Sequence, residues 1–131
     1  MKPTSLVILL FIFLPYKNLA QDQEIDSIRL WVESNENRDS VRVNNLIELT
    51  KYYATRDFPK NVELINEALE ISEEIGYLRG RGLALTVLSK HYVVKGEIDK
   101  ALKVALEAKK IIDSTPHKKD IVSINNSLAR I

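Results

Sequence analysis

Few residues of this chain combine a reactive side chain with a spacing that could support catalysis. Its two histidines are His91 and His117. An imidazole can act as a general base or as a metal ligand. His91 has apolar neighbours and no metal-binding residue at helical spacing, so we expect it to pack as a structural side chain. His117 lies beside Pro116 in a connector, where we expect it to be solvated.

Phosphate and thiol chemistry are excluded on similar grounds. Gly80 and Gly82 lack the preceding strand and the spacing of a phosphate-binding loop. The chain contains no cysteine, which removes disulfides, thiol nucleophiles and thiolate metal ligands. The paired acidic residues at 73–74 and 97–99 fit solvated helix faces and caps. The sequence therefore predicts a protein that is not an enzyme and that uses no metal ion or cofactor.

A recurrence of basic residues favours a binding surface instead. Lys51, Lys90 and Arg130 each stand two residues after a leucine, and the three leucines are 39 and 40 residues apart. If these segments fold as stacked repeats, the three cations line one surface. They could then bind an acidic peptide or a C-terminal carboxylate through charge-assisted hydrogen bonds. The alternative is that all three are ordinary solvated side chains on an exposed helix face.

Apolar residues at helical spacing predict the elements that position these cations. The segments at 49–53, 88–92 and 128–131 share one pattern, and such a fixed spacing is typical of stacked helical units. No segment shows sustained strand alternation. We therefore predict an all-α fold, an α-solenoid of antiparallel helix pairs with about two and a half repeats after a short leading helix. The predicted helices span about residues 25–32, 39–55, 59–75, 83–94, 98–113 and 120–131, and residues 77–82 form either a connector or a loosely formed first turn.

The first twenty residues differ from the rest of the chain. Lys2 gives a positive start, nine apolar residues follow at 6–14, and Ala20 precedes Gln21. This arrangement is typical of a secretory signal peptide cleaved after Ala20, and the apolar run is shorter than the roughly 20 residues of a spanning helix. The alternative is an uncleaved anchor or a buried core segment. The sequence therefore predicts a periplasmic or secreted protein.

The charge balance argues against nucleic acid as a partner. The whole chain carries a net charge of +1, and without Lys2 and Lys17 the remaining 17 basic residues face 18 acidic ones. A near-neutral chain has little bulk attraction for nucleic acid or for an anionic membrane. We predict a protein or peptide partner, no nucleic acid, and no membrane span beyond the signal segment.

Residues 84–112 resemble the tetratricopeptide repeat, a pair of antiparallel helices with a sparse set of large and small residues. The positions that carry this resemblance are Leu85, Leu88, Ser89, Tyr92, Gly96, Ile98, Ala101, Ala108 and Pro116. The preceding unit is weaker, with Asn61 near a small position and no glycine in its turn. The resemblance implies repeats at 39–76 and 77–116 and a partial repeat at 117–131.

The order of these parts is similar to the exported N-terminal half of bacterial signalling proteins, notably Bacteroidetes-type sensor histidine kinases and related regulators. A signal peptide at 1–20 and a leading helix with a loop at 21–38 precede the long repeats at 39–131. The resemblance implies a sensory or scaffolding module that binds protein partners. It also implies that further repeats, a membrane helix and an output domain follow, so we expect the chain to be a truncated product or a fragment.

Two other functions and one assembly state are compatible with the same residues. The chain could be a cytoplasmic transcription regulator fragment with helical repeats, although its charge and its signal-like start argue against this. It could also be an accessory domain of an exported enzyme. The last predicted helix would leave Ile121, Ile124 and Leu128 without a following repeat, which favours a homo-oligomer formed through that open end.

Overall fold

The computed structural model describes residues 20–131, with the side chain of Lys118 excepted. The predicted signal peptide at 1–20 lies outside the described residues apart from Ala20. The described residues belong to two compact units, one that ends at Asn35 and one that comprises Glu36–Ile131. Helices and no strands occur among the described residues, which confirms the predicted all-α class.

Helix α1 occupies residues 20–34 of the first unit and contains the predicted leading helix at 25–32. Local polar contacts hold its C-terminal end. The Ser34 hydroxyl donates to the Leu30 carbonyl at 2.7 Å, and the backbone N–H of Asn35 donates to the Trp31 carbonyl at 3.0 Å. Residues 35–38 follow without regular structure, where the sequence predicts a loop.

The second unit consists of helices joined by turns of three or four residues. They are α2 (Ser40–Tyr53), α3 (Phe58–Glu74), α4 (Leu78–Val94), α5 (Ile98–Asp113) and α6 (Lys118–Leu128). The predicted bounds of α2, α3, α5 and α6 agree with these to within three residues. Turns this short make each helix fold back on the one before it. No helix within residues 20–131 has the length and apolar character that crossing a membrane requires.

Residues that cap helices set several of these bounds. Asp39 caps α2 by accepting the backbone N–H of Arg42 at 2.9 Å, and Asp57 caps α3 by accepting that of Lys60 at 2.9 Å. Each carboxylate satisfies a backbone donor that the first helical turn leaves without an intrahelical partner. Gly76 ends α3 as the sequence predicts, because its φ of 66° lies in the left-handed region that glycine adopts without strain.

Helix α4 begins at Leu78, so residues 78–82 form its first turns and the alternative of a connector at 77–82 is wrong. Gly80 and Gly82 lie inside this helix and let it approach its neighbours. A β-carbon on Gly82 would lie 2.7 Å from Ile112 Cγ1 on α5, and one on Gly80 would lie 2.7 Å from Val43 Cγ1 on α2. Close packing therefore outweighs the low helix propensity of glycine, which is worth about 1 kcal/mol relative to alanine.

Helix α4 is central to the packing of the second unit. Each helix packs on the next one along the chain, and α4 also packs on α2 and α6. One core cluster of buried residues joins α4, α5 and α6 through Leu85, Ala105, Ala108, Ile112 and Ile124. Ala101, Ala105 and Ala108 are fully buried on α5, and these small side chains allow it to lie close against α4.

Buried apolar residues recur at one position of three helices. Leu46 on α2, Leu85 on α4 and Ile124 on α6 follow one another at equal intervals, and each is at most 7% exposed. This recurrence, together with the contacts of α4 with α2 and α6, is typical of a helical-repeat-like architecture. Leu128, matched to Leu88 from the sequence, falls one residue outside this register.

Candidate binding groove

A groove of about 350 Å³ runs along one face of α4. Its walls come from α2, from the first turn of α3 and from the first half of α6. Helices therefore supply nearly all of the lining, and the accessible part of that lining is mostly apolar. A volume of this size lies at the lower end of the range found for ligand pockets in proteins.

One side of α4 forms the floor of the groove. Arg79, Leu83, Val87, Lys90 and Val94 recur every three or four residues and so share this side of the helix. Val94 is 72% exposed. The floor thus presents apolar surface on both sides of one cation, Lys90.

The three basic residues singled out in the sequence lie around this groove. Lys51 and Lys90 line it, and Lys90 and Arg130 line an adjoining hollow of about 170 Å³. Lys51 forms an ion pair with Glu48 on the preceding turn, with 2.6 Å between Nζ and Oε1. Neither Lys90 nor Arg130 forms an ion pair within the described part of the chain.

The positive charges around the groove act on Lys90. Burial lowers the pKa of Lys90, and the charges of Arg130 and Lys51 lower this pKa further. Desolvation and neighbouring cations both disfavour the charged amine, and among the described residues no carboxylate offsets them. An acidic group brought beside Lys90 would offset both effects.

Arg130 does not share the helical position of the two lysines. Lys51 and Lys90 lie inside α2 and α4, whereas α6 ends at Leu128 and Arg130 follows its C-cap, Ala129. The predicted structural equivalence of the three cations is therefore wrong for Arg130, because the last helix is shorter than its periodicity suggests. The charge of Arg130 nevertheless acts on Lys90.

Two opposite charges cancel at the α6 end of the groove. Arg79 Nε donates to Asp120 Oδ2 at 2.6 Å, and Arg79 Nη2 donates to Oδ1 at 3.2 Å. The Asp120 side chain is 9% exposed, and its hydrogen bond raises the pKa of Arg79. This bidentate pair ties α4 to α6 and leaves that end of the groove without a free charge.

His91 forms part of the groove beside α3 and is 6% exposed. Its ring stacks on Phe58, with the ring centroids 4.2 Å apart and the planes at 28°. Its Nδ1 has no hydrogen-bond partner in the described residues. Burial lowers the pKa of His91, and Lys95 lowers it further while Glu97 opposes the shift. His91 is thus a packed histidine, as the sequence predicts, and His117 lies at the exposed start of α6.

Sequence reasoning missed the groove residues that lie outside the repeated segments. Phe58 and Asn61 come from the first turn of α3, and Asp120 comes from α6. Asp120 follows Arg79 by about one repeat length, so a search for opposite charges at that separation would have found the pair. No signal in the sequence distinguishes the exposed Val94 from the buried apolar residues of α4.

The arrangement can hold an anionic group beside apolar surface. The two acidic side chains that line the groove are already paired, Glu48 with Lys51 and Asp120 with Arg79. In the part of the chain that the structure describes, no group of three or more His, Asp or Glu side chains is placed to hold a metal ion.

No protein-family model, no curated protein and no solved structure matches this chain. The groove itself is thus the basis for assigning a function. Its distinguishing feature is Lys90, an exposed cation between apolar side chains and without an acidic partner in the described residues.

Proposed function

We propose that the chain is a non-catalytic interaction module that binds an acidic peptide segment of a partner protein along α4. The observation that carries this proposal is the setting of Lys90, which lines the groove between Val87 and Val94 and forms no ion pair within the described residues. A carboxylate at this point gains a charge-assisted hydrogen bond and offsets the repulsion among the cations. Because the net charge of the chain is only +1, the attraction is local to the groove.

The construction of the groove supports a binding role. Packed helices form its walls, and a preformed surface leaves most of the ordering entropy to the partner. We infer that these helices are tetratricopeptide-like pairs at 39–76 and 77–116 with a partial unit at 117–131. The equal spacing of Leu46, Leu85 and Ile124 in the core supports this arrangement.

We also propose that the chain is exported and serves as the sensory or scaffolding N-terminal part of a bacterial signal-transduction protein. The support comes from the apolar run at 6–14 and the small residue Ala20 that follows it. Expression of the full chain in a bacterium, followed by fractionation and N-terminal sequencing, tests the export step. The expected product is periplasmic and begins at Gln21, and a cytoplasmic product that retains Met1 would contradict export.

Peptide selection tests the binding function. Random dodecapeptides displayed on phage are selected on the full chain, and selected peptides are synthesised and measured by fluorescence polarisation. We expect the selected peptides to be acidic. The triple variant Lys51→Ala, Lys90→Ala, Arg130→Ala should bind them at least about tenfold more weakly, with a shallower dependence on salt.

A charge-matched control separates the groove from the overall charge. The variant Lys60→Ala, Lys103→Ala, Lys110→Ala removes three cations that do not line the groove. Lys60 pairs with Glu63 at 2.9 Å and so resembles Lys51 in its local pairing. We expect this control to bind like the wild type. Equal weakening in both triple variants, or unchanged affinity and salt dependence in the groove variant, would rule out the proposed site.

A further inference from the structure

We infer that the groove recognises a single acidic residue flanked by apolar ones, in the pattern apolar–any–acidic–any–apolar, in preference to a run of acidic residues. This inference rests on the proposed peptide-binding function and specifies its ligand. Two features carry it: the distribution of free charge in the groove, and the apolar positions on either side of Lys90 along α4.

The unpaired charge that lines the groove itself is that of Lys90, and Arg130 lines only the adjoining hollow. Of the cations that line the groove, Arg79 is paired with Asp120 and Lys51 is paired with Glu48, whereas Lys90 has no ion-pair partner in the described residues. Further carboxylates on a ligand would lie beside one of these two ion pairs, where the lysine or arginine is already neutralised. The acidic residue of the pair, Glu48 or Asp120, would repel them. Additional acidic residues should therefore add little affinity.

The apolar surface extends to both sides of this charge. Along the axis of α4, Val94 lies about 6 Å from Lys90 in one direction, and Val87 and Leu83 lie about 4.5 Å and about 10 Å away in the other. In an extended peptide, side chains two residues apart point the same way and are separated by about 6.6 Å. Side chains two residues before and after the acidic one would therefore reach Val94 and the surface of Val87 and Leu83. The pattern is symmetric, so it fits either direction of the peptide.

Substitution of Val94 can test the proposed apolar contact. It is 72% exposed although it is apolar, so a covering side chain would remove apolar area from water. Leu106 on α5 is 53% exposed and does not line the groove. The two residues therefore form a matched pair, one inside the proposed site and one outside it.

Three labelled nonapeptides test the inference by fluorescence polarisation with the full chain. Their central residues are Leu-Ser-Glu-Ser-Leu, Ser-Ser-Glu-Ser-Ser and Glu-Ser-Glu-Ser-Glu, each flanked by Gly-Ser and Ser-Gly. The leucine peptide should bind at least about tenfold more tightly than the peptide without apolar residues, and more tightly than the triple-glutamate peptide. Tightest binding by the triple-glutamate peptide, or no binding by any of the three, would overturn the inference.

Failure of this inference can be distinguished from failure of the proposed function. If the selected dodecapeptides depend on the groove cations while the leucine peptide gains nothing, only the inference is wrong. On the protein side, Val94→Ser should weaken the leucine peptide by about threefold or more and leave the peptide without apolar residues unaffected. Leu106→Ser should change neither. Equal effects of the two variants would overturn the assignment of Val94, and thermal melts of both confirm that they are folded.

Discussion

Arg79 and Asp120 form a bidentate ion pair that joins α4 to α6 across 41 residues of sequence. The carboxylate is nearly buried, with 9% of the side chain exposed, while the guanidinium is about one-third exposed. Removing one member of such a pair costs more than the pair contributes as a whole, because the other charge is left desolvated. The contribution of this pair to stability can therefore be measured from the free energy of unfolding of variants.

Replacing Arg79 by methionine should lower the free energy of unfolding by about 1–3 kcal/mol, since Asp120 would lose its partner. Chemical denaturation measures this loss, and adding Asp120→Asn to the first change should restore part of it. Arg81 pairs with Glu73 and Glu107, both of which are well exposed. The control Arg81→Met should therefore cost less than about 1 kcal/mol. A larger loss for the control would contradict the role given to Asp120.

Replacing Gly82 by alanine should destabilise the fold, although alanine is the better helix former. The new β-carbon would lie 2.7 Å from Cγ1 of the fully buried Ile112. Overpacking of this kind costs about 1–3 kcal/mol, against a gain in helix propensity of about 1 kcal/mol. Asn66→Ala at an exposed site of α3 is the matched control and should raise the melting temperature slightly. A higher melting temperature for Gly82→Ala would contradict this prediction, because it would mean that α5 moves away from the new β-carbon without loss of stability.

The fold should lose stability as the pH falls below about 6.5, the ordinary pKa of histidine. Burial lowers the pKa of His91 in the folded chain, so the unfolded chain binds more protons in this range. The stability associated with the neutral imidazole is complete above pH 6.5 and decreases as the pH falls through the lowered pKa. Urea unfolding at neutral and at mildly acidic pH measures the difference.

Two variants assign this pH dependence to one histidine. His91→Gln should flatten the loss below pH 6.5, whatever its effect on the absolute stability. His117→Gln should retain the loss, because His117 is exposed at the start of α6. An identical decline in the wild type and in His91→Gln would remove His91 as the cause.

Association between copies of the chain stays a prediction, but the surface expected for it is wrong, because Ile124 is fully buried in the core and Ile121 and Leu128 pack against that core. An exposed position of α6 allows a test. Val122 on this helix is 59% exposed. If copies associate through α6, Val122→Asp should shift the sedimentation coefficient towards that of a monomer, while Leu106→Asp on α5 should not. A monomeric mass that does not change over a wide concentration range would exclude this mode of association.

Periodicity and capping residues were sufficient to predict four of the helices of the second unit. Asp39, Asp57 and Gly76 begin or end helices through the backbone within a few residues of themselves, so the sequence around each is enough to predict the helix end. The first turns of α4 cannot be decided in this way, because the sequence leaves open a connector or a helical turn at 77–82. Gly80 and Gly82 disfavour a helix by intrinsic propensity, and the reason for their presence lies on other helices that the local sequence does not reveal.

The same distinction applies to the groove. The recurrence of basic residues pointed to Lys51 and Lys90, because helical spacing fixes which side of a helix a residue occupies. That Lys90 has no acidic partner among the described residues could not be predicted, since this depends on where the fold places Glu48 and Asp120. Pairing between helices is a tertiary property, and it decides which cation stays available to a ligand.

Helix α4 contacts every other helix of the second unit and also forms the floor of the groove. A peptide held along it would add its binding free energy to that of folding by mass action. Amide hydrogens in α5, on which no groove residue lies, should then exchange more slowly with deuterium when peptide is present. The free module would be the form that proteases degrade first, so the lifetime of this protein in a cell would report the presence of its partner.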